Sequence, residues 1–244
     1  NASQNTAIGH EALTANTTGD GHVSVGRHSL RANTTGVNNS AFGFNALKAN
    51  TNGSNNTAIG NEALTANTTA SNVTAIGAGA LAANNAGGNT AVGHQALAAN
   101  TTGSGNLALG KNALLVNTTG DYNVAVGQNA LDANTTGDRN SGFGHESLTA
   151  NTTADKNTAI GFQALTANTT GGDNTAVGAY ALMSNTTGAN NVAMGQGALE
   201  NNNASHNTAI GLGALQQNTT GTYNIVMGNY AGDALTTGSN NVAA

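Results

Sequence analysis

The sequence predicts an all-β fold, a parallel β-solenoid or β-roll, and three observations carry that prediction. A seventeen-residue unit, Asn-Thr-Ala-Ile-Gly-x-x-Ala-Leu-x-Ala-Asn-Thr-Thr-Gly-x-x, begins at Asn5 and restarts at His22, Asn39, Asn56, Val73, Asn89, Asn106, Asn123, Asn140, Asn157, Asn174, Asn191, Asn207 and Asn224. Its fifth place is Gly in all fourteen copies, and its ninth and twelfth are Leu and Asn in thirteen. Charged residues make up only 7% of the chain and aromatics 3%, with no Pro, Cys or Trp, so Asn, Thr, Gly and Ser must cover the surface. Self-similarity at a fixed short period means stacked structural units that share one continuous core. Two copies, those starting at Val73 and Asn191, run to sixteen residues.

Within one unit, positions 2 to 4 (Thr-Ala-Ile, Val-Ala-Val, Leu-Ala-Leu) read as a short strand. Gly at position 5 ends it by permitting a positive φ or a close backbone approach. Positions 6 to 11, such as His10-Glu11-Ala12-Leu13-Thr14-Ala15, have helix-friendly composition but span only about one and a half turns, too short to persist without packing. One short helical turn and a second irregular strand are both compatible with them. Asn-Thr-Thr-Gly at 12 to 15 is turn chemistry. The variable positions 16 and 17 carry Asp20, Asp138, Tyr122 and Tyr223 and are expected to face water.

Two large apolar positions and two tight turns describe one coil. Stacking at about 4.7–4.9 Å would make fourteen coils a rod of roughly 65–70 Å. The expected structural core comprises position 4 (Ile8, Ile59, Val126, Ile160, Ile210) and position 9 (Leu13, Leu64, Leu131, Leu165, Leu215). Alternation places position 3 on one strand face and positions 2 and 4 on the other. Both faces are apolar, so both should be covered. One coil has one interior, so the second face needs its own repeat's turn or another chain. A parallel homotrimer with position 4 or position 3 at the interface follows; a covered monomer and a filament of stacked subunits are the alternatives.

Asn-Thr-Ala-Ile-Gly (Asn5–Gly9, Asn56–Gly60, Asn157–Gly161, Asn207–Gly211), with Asn-Val-Ala-Val-Gly (Asn123–Gly127) and Asn-Ser-Ala-Phe-Gly (Asn39–Gly43), resembles the head repeats of YadA-like trimeric autotransporter adhesins. The longer unit, with Ala-Leu-x-x-Asn-Thr-Thr-Gly, is similar to repeats of phage tail fibres and bacterial surface fibres. The resemblance spans essentially the whole chain and implies a left-handed parallel β-roll, three chains around one axis, and an adhesive or spacer role at a surface. The adhesin repeat is shorter, and the extra Ala-Leu-x-Ala-Asn is a departure from it.

Asn16, Asn33, Asn67, Asn100, Asn117, Asn134, Asn151, Asn168, Asn185 and Asn218 each begin Asn-Thr-Thr and are formally N-glycosylation acceptors. A stacked Asn ladder is the favoured reading, since glycans on one line at the coil spacing would crowd. Asn84 and Asn202 keep the Asn without being acceptors. Thr at 13 and 14 raises ice binding, but adjacent residues of a turn point in different directions. The six histidines (His10, His22, His28, His94, His145, His206) fall at several repeat positions and read as solvated surface residues, because metal ligands must converge. No calcium-binding Gly-Gly-x-Gly-x-Asp pattern and no acid, base or nucleophile constellation stands apart from the repeat. No cofactor, no metal and no catalytic residue is therefore expected, and the chain is expected not to be an enzyme.

The net charge of −5 is spread without a basic run, which suits neither a phosphate backbone nor an anionic membrane. No segment approaches the roughly 18 apolar residues of a membrane span. Residues 1–4 read as the end of a preceding repeat and 241–244 as the start of the next, so 1–244 is expected to be one repeat array within a longer chain. The last full copy is the most irregular, with Gly232 for Leu, Leu235 for Asn and Val226 for Ala, which suits a cap or a handover to a following module. The expected function is a structural segment of an extracellular adhesin-like or tail-fibre-like filament, with its own copies as partners and any surface or matrix ligand bound elsewhere. A carbohydrate- or ice-binding solenoid, or a glycosylated surface filament, is the alternative.

Overall fold

The computed structural model describes residues 2–244, in two compact units that divide after Tyr122. The assignment of residues 1–4 to a preceding repeat falls in part on Asn1, outside the described residues. The first unit holds β1 (Thr6–Ile8), β2 (Val23–Val25), β3 (Ser40–Phe42), β4 (Thr57–Ile59), β5 (Thr74–Ile76), β6 (Thr90–Val92) and β7 (Leu107–Leu109). The second holds β8 (Val124–Val126), β9 (Ser141–Phe143), β10 (Thr158–Ile160), β11 (Thr175–Val177), β12 (Val192–Met194), β13 (Thr208–Ile210), β14 (Ile225–Met227) and β15 (Val242–Ala243). Within each unit every strand pairs in parallel with its sequence neighbour and equivalent repeat positions face each other, as Thr57↔Thr74 and Ile59↔Ile76 in one and Thr158↔Thr175 and Ile160↔Val177 in the other. The chain is an all-parallel β-solenoid with one strand per coil.

Positions 6 to 11 form neither a helical turn nor a strand, and the described residues contain no helix. Positions 7 and 9 take positive φ, as in Glu62 (57°) and Leu64 (53°), so the chain zigzags. The amides of positions 7, 9 and 11 bond between coils, while that of position 8 closes a turn onto position 5, as Ala63 N–H does to the Gly60 carbonyl at 3.4 Å. Leu47 N–H donates to the Ala63 carbonyl at 3.0 Å and Ala49 N–H to the Thr65 carbonyl at 3.2 Å, while Glu62 N–H reaches back to the Phe44 carbonyl at 2.9 Å. In the second unit the same bonds run from Leu165 to Ala181 and from Gln163 to His145. Helix propensity is worth only tenths of a kcal/mol per residue, and a satisfied inter-coil amide outweighs it. A left-handed Leu costs about 1–2 kcal/mol, which full burial of the side chain, about 1.5–3 kcal/mol, offsets.

Each coil's interior holds the Ala of positions 3 and 8 and the Leu of position 9. Leu64, Leu131, Leu165 and Leu215 are fully buried, and Leu13 in the first coil is partly so. Position 4 is corrected: Ile8, Ile59 and Ile160 are exposed (61%, 39% and 42%), and Val126 and Ile210 are half-exposed. With only three residues per strand, the coil closes on the face that carries the small position 3, and positions 2 and 4 point outward. The covered face is thus the one packed by the coil's own Leu and Ala. Position 3 cannot line an interface between chains.

Gly at position 5 answers two demands at once. At Gly60 φ is +138°, and an added Cβ would lie 2.5 Å from the Gly77 carbonyl oxygen in the next coil. No L side chain satisfies both conditions. In the last full copy the core is rebuilt: Val226 at position 3 is fully buried, and a Cβ on Gly232 would come within 3.3 Å of it and 3.4 Å of Leu235. Val226 and Leu235 fill the volume that the missing Leu leaves.

Candidate functional site

Three features stand out from this frame: buried amide ladders, an uncovered apolar face, and a cluster of histidines at the first coils.

The position-12 asparagines stack as a ladder. Asn33 Nδ2 donates to Asn16 Oδ1 at 2.9 Å, Asn50 to Asn33 at 2.8 Å and Asn67 to Asn50 at 2.9 Å. Asn117 to Asn100, Asn151 to Asn134, Asn168 to Asn151 and Asn185 to Asn168 repeat the contact at 2.9–3.1 Å. Each Nδ2 also donates to the position-15 carbonyl of its own coil, as Asn134 does to Gly137 at 3.0 Å. Nine of the ten formal acceptor sites, Asn33, Asn67, Asn100, Asn117, Asn134, Asn151, Asn168, Asn185 and Asn218, are fully buried. Asn16, in the first coil, is partly exposed. The nitrogen that a glycan would need is held inside the wall.

A second ladder, which repeat-by-repeat reading of position 12 does not reveal, runs at position 1. Asn56 Oδ1 accepts the Val73 backbone N–H at 3.0 Å, and its Nδ2 donates to the Ala70 carbonyl at 2.9 Å. Asn157, Asn174, Asn191, Asn207 and Asn224 continue the pattern. Both ladders meet at position 15, where the Gly53 carbonyl accepts Asn39 Nδ2 at 2.8 Å and Asn50 Nδ2 at 3.0 Å and so closes the coil. The near-constant Asn at position 1 is its signal in the sequence. His22 takes the same place, with Nδ1 accepting the Asn39 N–H at 3.2 Å and the ring bonded to the Gly36 backbone. Its burial pushes the imidazole pKa below the usual histidine value, against those backbone bonds.

The outward face of the strands carries an apolar column at position 4, beside a position 2 that is Thr or Ser in most strands. In the first unit Phe42, Ile59, Leu107 and Leu109 are exposed, with Phe44 beside them. In the second Phe143, Ile160, Met194 and Met227 are exposed, with Phe162 beside them. Single exposed apolar residues are ordinary on a protein surface; a repeated column is not.

The histidines do not all behave as isolated surface residues. His94 is exposed, His145 stacks on Phe162 at 5.6 Å between ring centroids, and His206 stacks on Tyr223 at 4.8 Å. His10 and His28, however, converge. They sit eighteen residues apart, at position 6 of one coil and position 7 of the next. The His28 backbone N–H donates to the His10 carbonyl at 2.9 Å, and the rings lie 5.7 Å apart. Glu11 joins them: its Oε2 is 3.3 Å from His28 Nε2 and 3.3 Å from an Arg31 guanidinium nitrogen. In a solenoid the neighbours are residues one period apart, give or take one.

No helix of the described residues is long and apolar enough to cross a membrane. No protein-family model matches the chain, and no curated protein matches it significantly.

Proposed function

We propose that this chain is a structural fibre segment, a rigid spacer of an extracellular adhesin-like or tail-fibre-like filament, and that it works as a parallel homotrimer. The exposed position-4 column carries this reading. The coil interior is complete without those residues, so the column represents apolar surface that a partner would cover, and a second and third copy present the same period in the same register. The absence of any separate acid, base or nucleophile constellation in the repeat supports a non-enzymatic role. The adhesin and tail-fibre resemblance of Asn-Thr-Ala-Ile-Gly supports the extracellular setting.

Light scattering on the 244-residue chain tests it. A mass near three times 23.9 kDa at micromolar concentration is expected. Replacing Ile59 and Ile160 with Lys should lower that mass while leaving the β-sheet circular dichroism intact. A single-chain mass for the unmodified protein would overturn the trimer. Binding of cells or glycans by this segment as strong as that of a longer filament would overturn the spacer role.

A further inference from the structure

We propose that His10, Glu11 and His28 form a binding site for a divalent first-row transition ion of the zinc class, clamping the first coil to the second. Two imidazoles and a carboxylate are a donor set suited to Zn²⁺ and its neighbours and ill-suited to Ca²⁺ or Mg²⁺, which favour oxygen. One ligand atom from each of the three residues can be chosen so that all lie within 4.8 Å of one another. The His28 Nε2 to Glu11 Oε2 separation of 3.3 Å is already suitable. Two ligands bound at about 2.0–2.1 Å on a tetrahedral ion stand roughly 3.3 Å apart. His10 closes the remaining gap by side-chain rotation, since it is exposed and unconstrained by the core.

The frame beneath the site is firm. Glu11 and His28 occupy equivalent position-7 places in adjacent coils, both at positive φ (54° and 61°). The His28 amide is bonded directly to the His10 carbonyl. On its other side the His28 ring packs 6.2 Å from Phe44, which lies under the Arg27 guanidinium at 5.9 Å. His28 is half-buried while His10 and Glu11 are exposed, so an ion would enter from the solvent side and keep at least one water ligand. Arg31 is the resident competitor: it holds the same Glu11 oxygen that would turn to the metal.

Calorimetric titration of the 244-residue chain with ZnCl₂ tests the proposal. One ion per chain is expected, with His10→Asn and His28→Gln each weakening binding at least tenfold and Arg31→Gln strengthening it. His94→Asn, at an exposed histidine elsewhere, should leave the affinity unchanged. Hydrogen exchange with and without Zn²⁺ should show added protection confined to the first two coils. Melting curves without metal that match the unmodified chain would show that the variants fold. Zn²⁺ binding that survives His10→Asn and His28→Gln together, or that falls as much with His94→Asn, would overturn the site.

Discussion

His22 accepts the backbone N–H of Asn39 on its Nδ1 at 3.2 Å, the place that an asparagine oxygen fills in most other coils. The imidazole reproduces the carboxamide: one nitrogen accepts from the next coil and the other bonds Gly36, fourteen residues on in its own coil. That pairing requires a neutral ring with Nδ1 free of a proton.

A pH dependence follows. Desolvation lowers the folded pKa of His22 below its ordinary value of 6.5. The unfolded chain therefore binds more protons in that window, and stability rises with pH. The contribution is fully present above pH 6.5 and is lost as pH falls through the folded pKa. His22→Asn should remove it, so the difference in melting temperature between pH 7 and pH 5 should be smaller in this variant than in the unmodified chain. An identical pH profile in both would contradict the neutral-ladder role.

Val73 interrupts the position-1 ladder. It offers no oxygen to the next coil, and in the same region Asn67 Oδ1 is buried without a partner. The other sixteen-residue coil shows what an Asn does there. Asn191 donates to the Ala204 carbonyl at 2.8 Å and accepts the Asn207 N–H at 3.0 Å. Val73→Asn should supply the equivalent bonds to Ala86 and Asn89. Losing a buried Val costs about 1.5 kcal/mol, and satisfying buried amides returns about 1–3 kcal/mol each. A net gain of roughly 1 kcal/mol and slower exchange of the Asn89 amide are expected; chemical denaturation and hydrogen exchange measure both.

Leu131 and Asp132 are adjacent but unequal. Leu131 is fully buried at φ 52°, and Leu131→Ala should cost about 2–5 kcal/mol per chain. Because that φ also penalises Ala, Leu131→Gly recovers strain of about 1–2 kcal/mol and should cost no more than Leu131→Ala. Burial raises the Asp132 carboxyl pKa, so its charge does not stabilise the fold. Asp132→Ala should stay within about 0.5 kcal/mol. Matched melting curves discriminate; equal losses at both positions would mean the wrong residue is in the core.

Positions 3 and 8 of one coil fit as a pair. Ser24 meets Ser29 through their hydroxyls at 2.5 Å, and Gly142 faces Ser147, whose Oγ would stand 2.9 Å from an added Cβ. Gly142→Ala should therefore destabilise alone, yet should stabilise by about 0.4–1 kcal/mol where Ser147→Ala has made room. A double-mutant cycle should give a coupling of at least about 0.5 kcal/mol. Additive effects would show that the two positions do not touch.

The period, the invariant Gly, the Leu column and the position-12 Asn ladder were legible in the sequence, because each coil must put the same group in the same place to meet its neighbour. Once the register is known, stacking turns identity at one position into contact, and Leu64 or Asn67 could be placed without coordinates. Three things were decided only by the tertiary structure. Positions 6 to 11 became turns because the amides of positions 7, 9 and 11, Leu64 among them, found carbonyls in adjacent coils, which local propensity does not encode. Ile59 and Ile160 turned outward because a strand apolar on both faces carries no mark of which face the chain itself will cover. His10 and His28 met because closeness in a solenoid is set by the coil period, so residues far apart along the chain become neighbours once it closes.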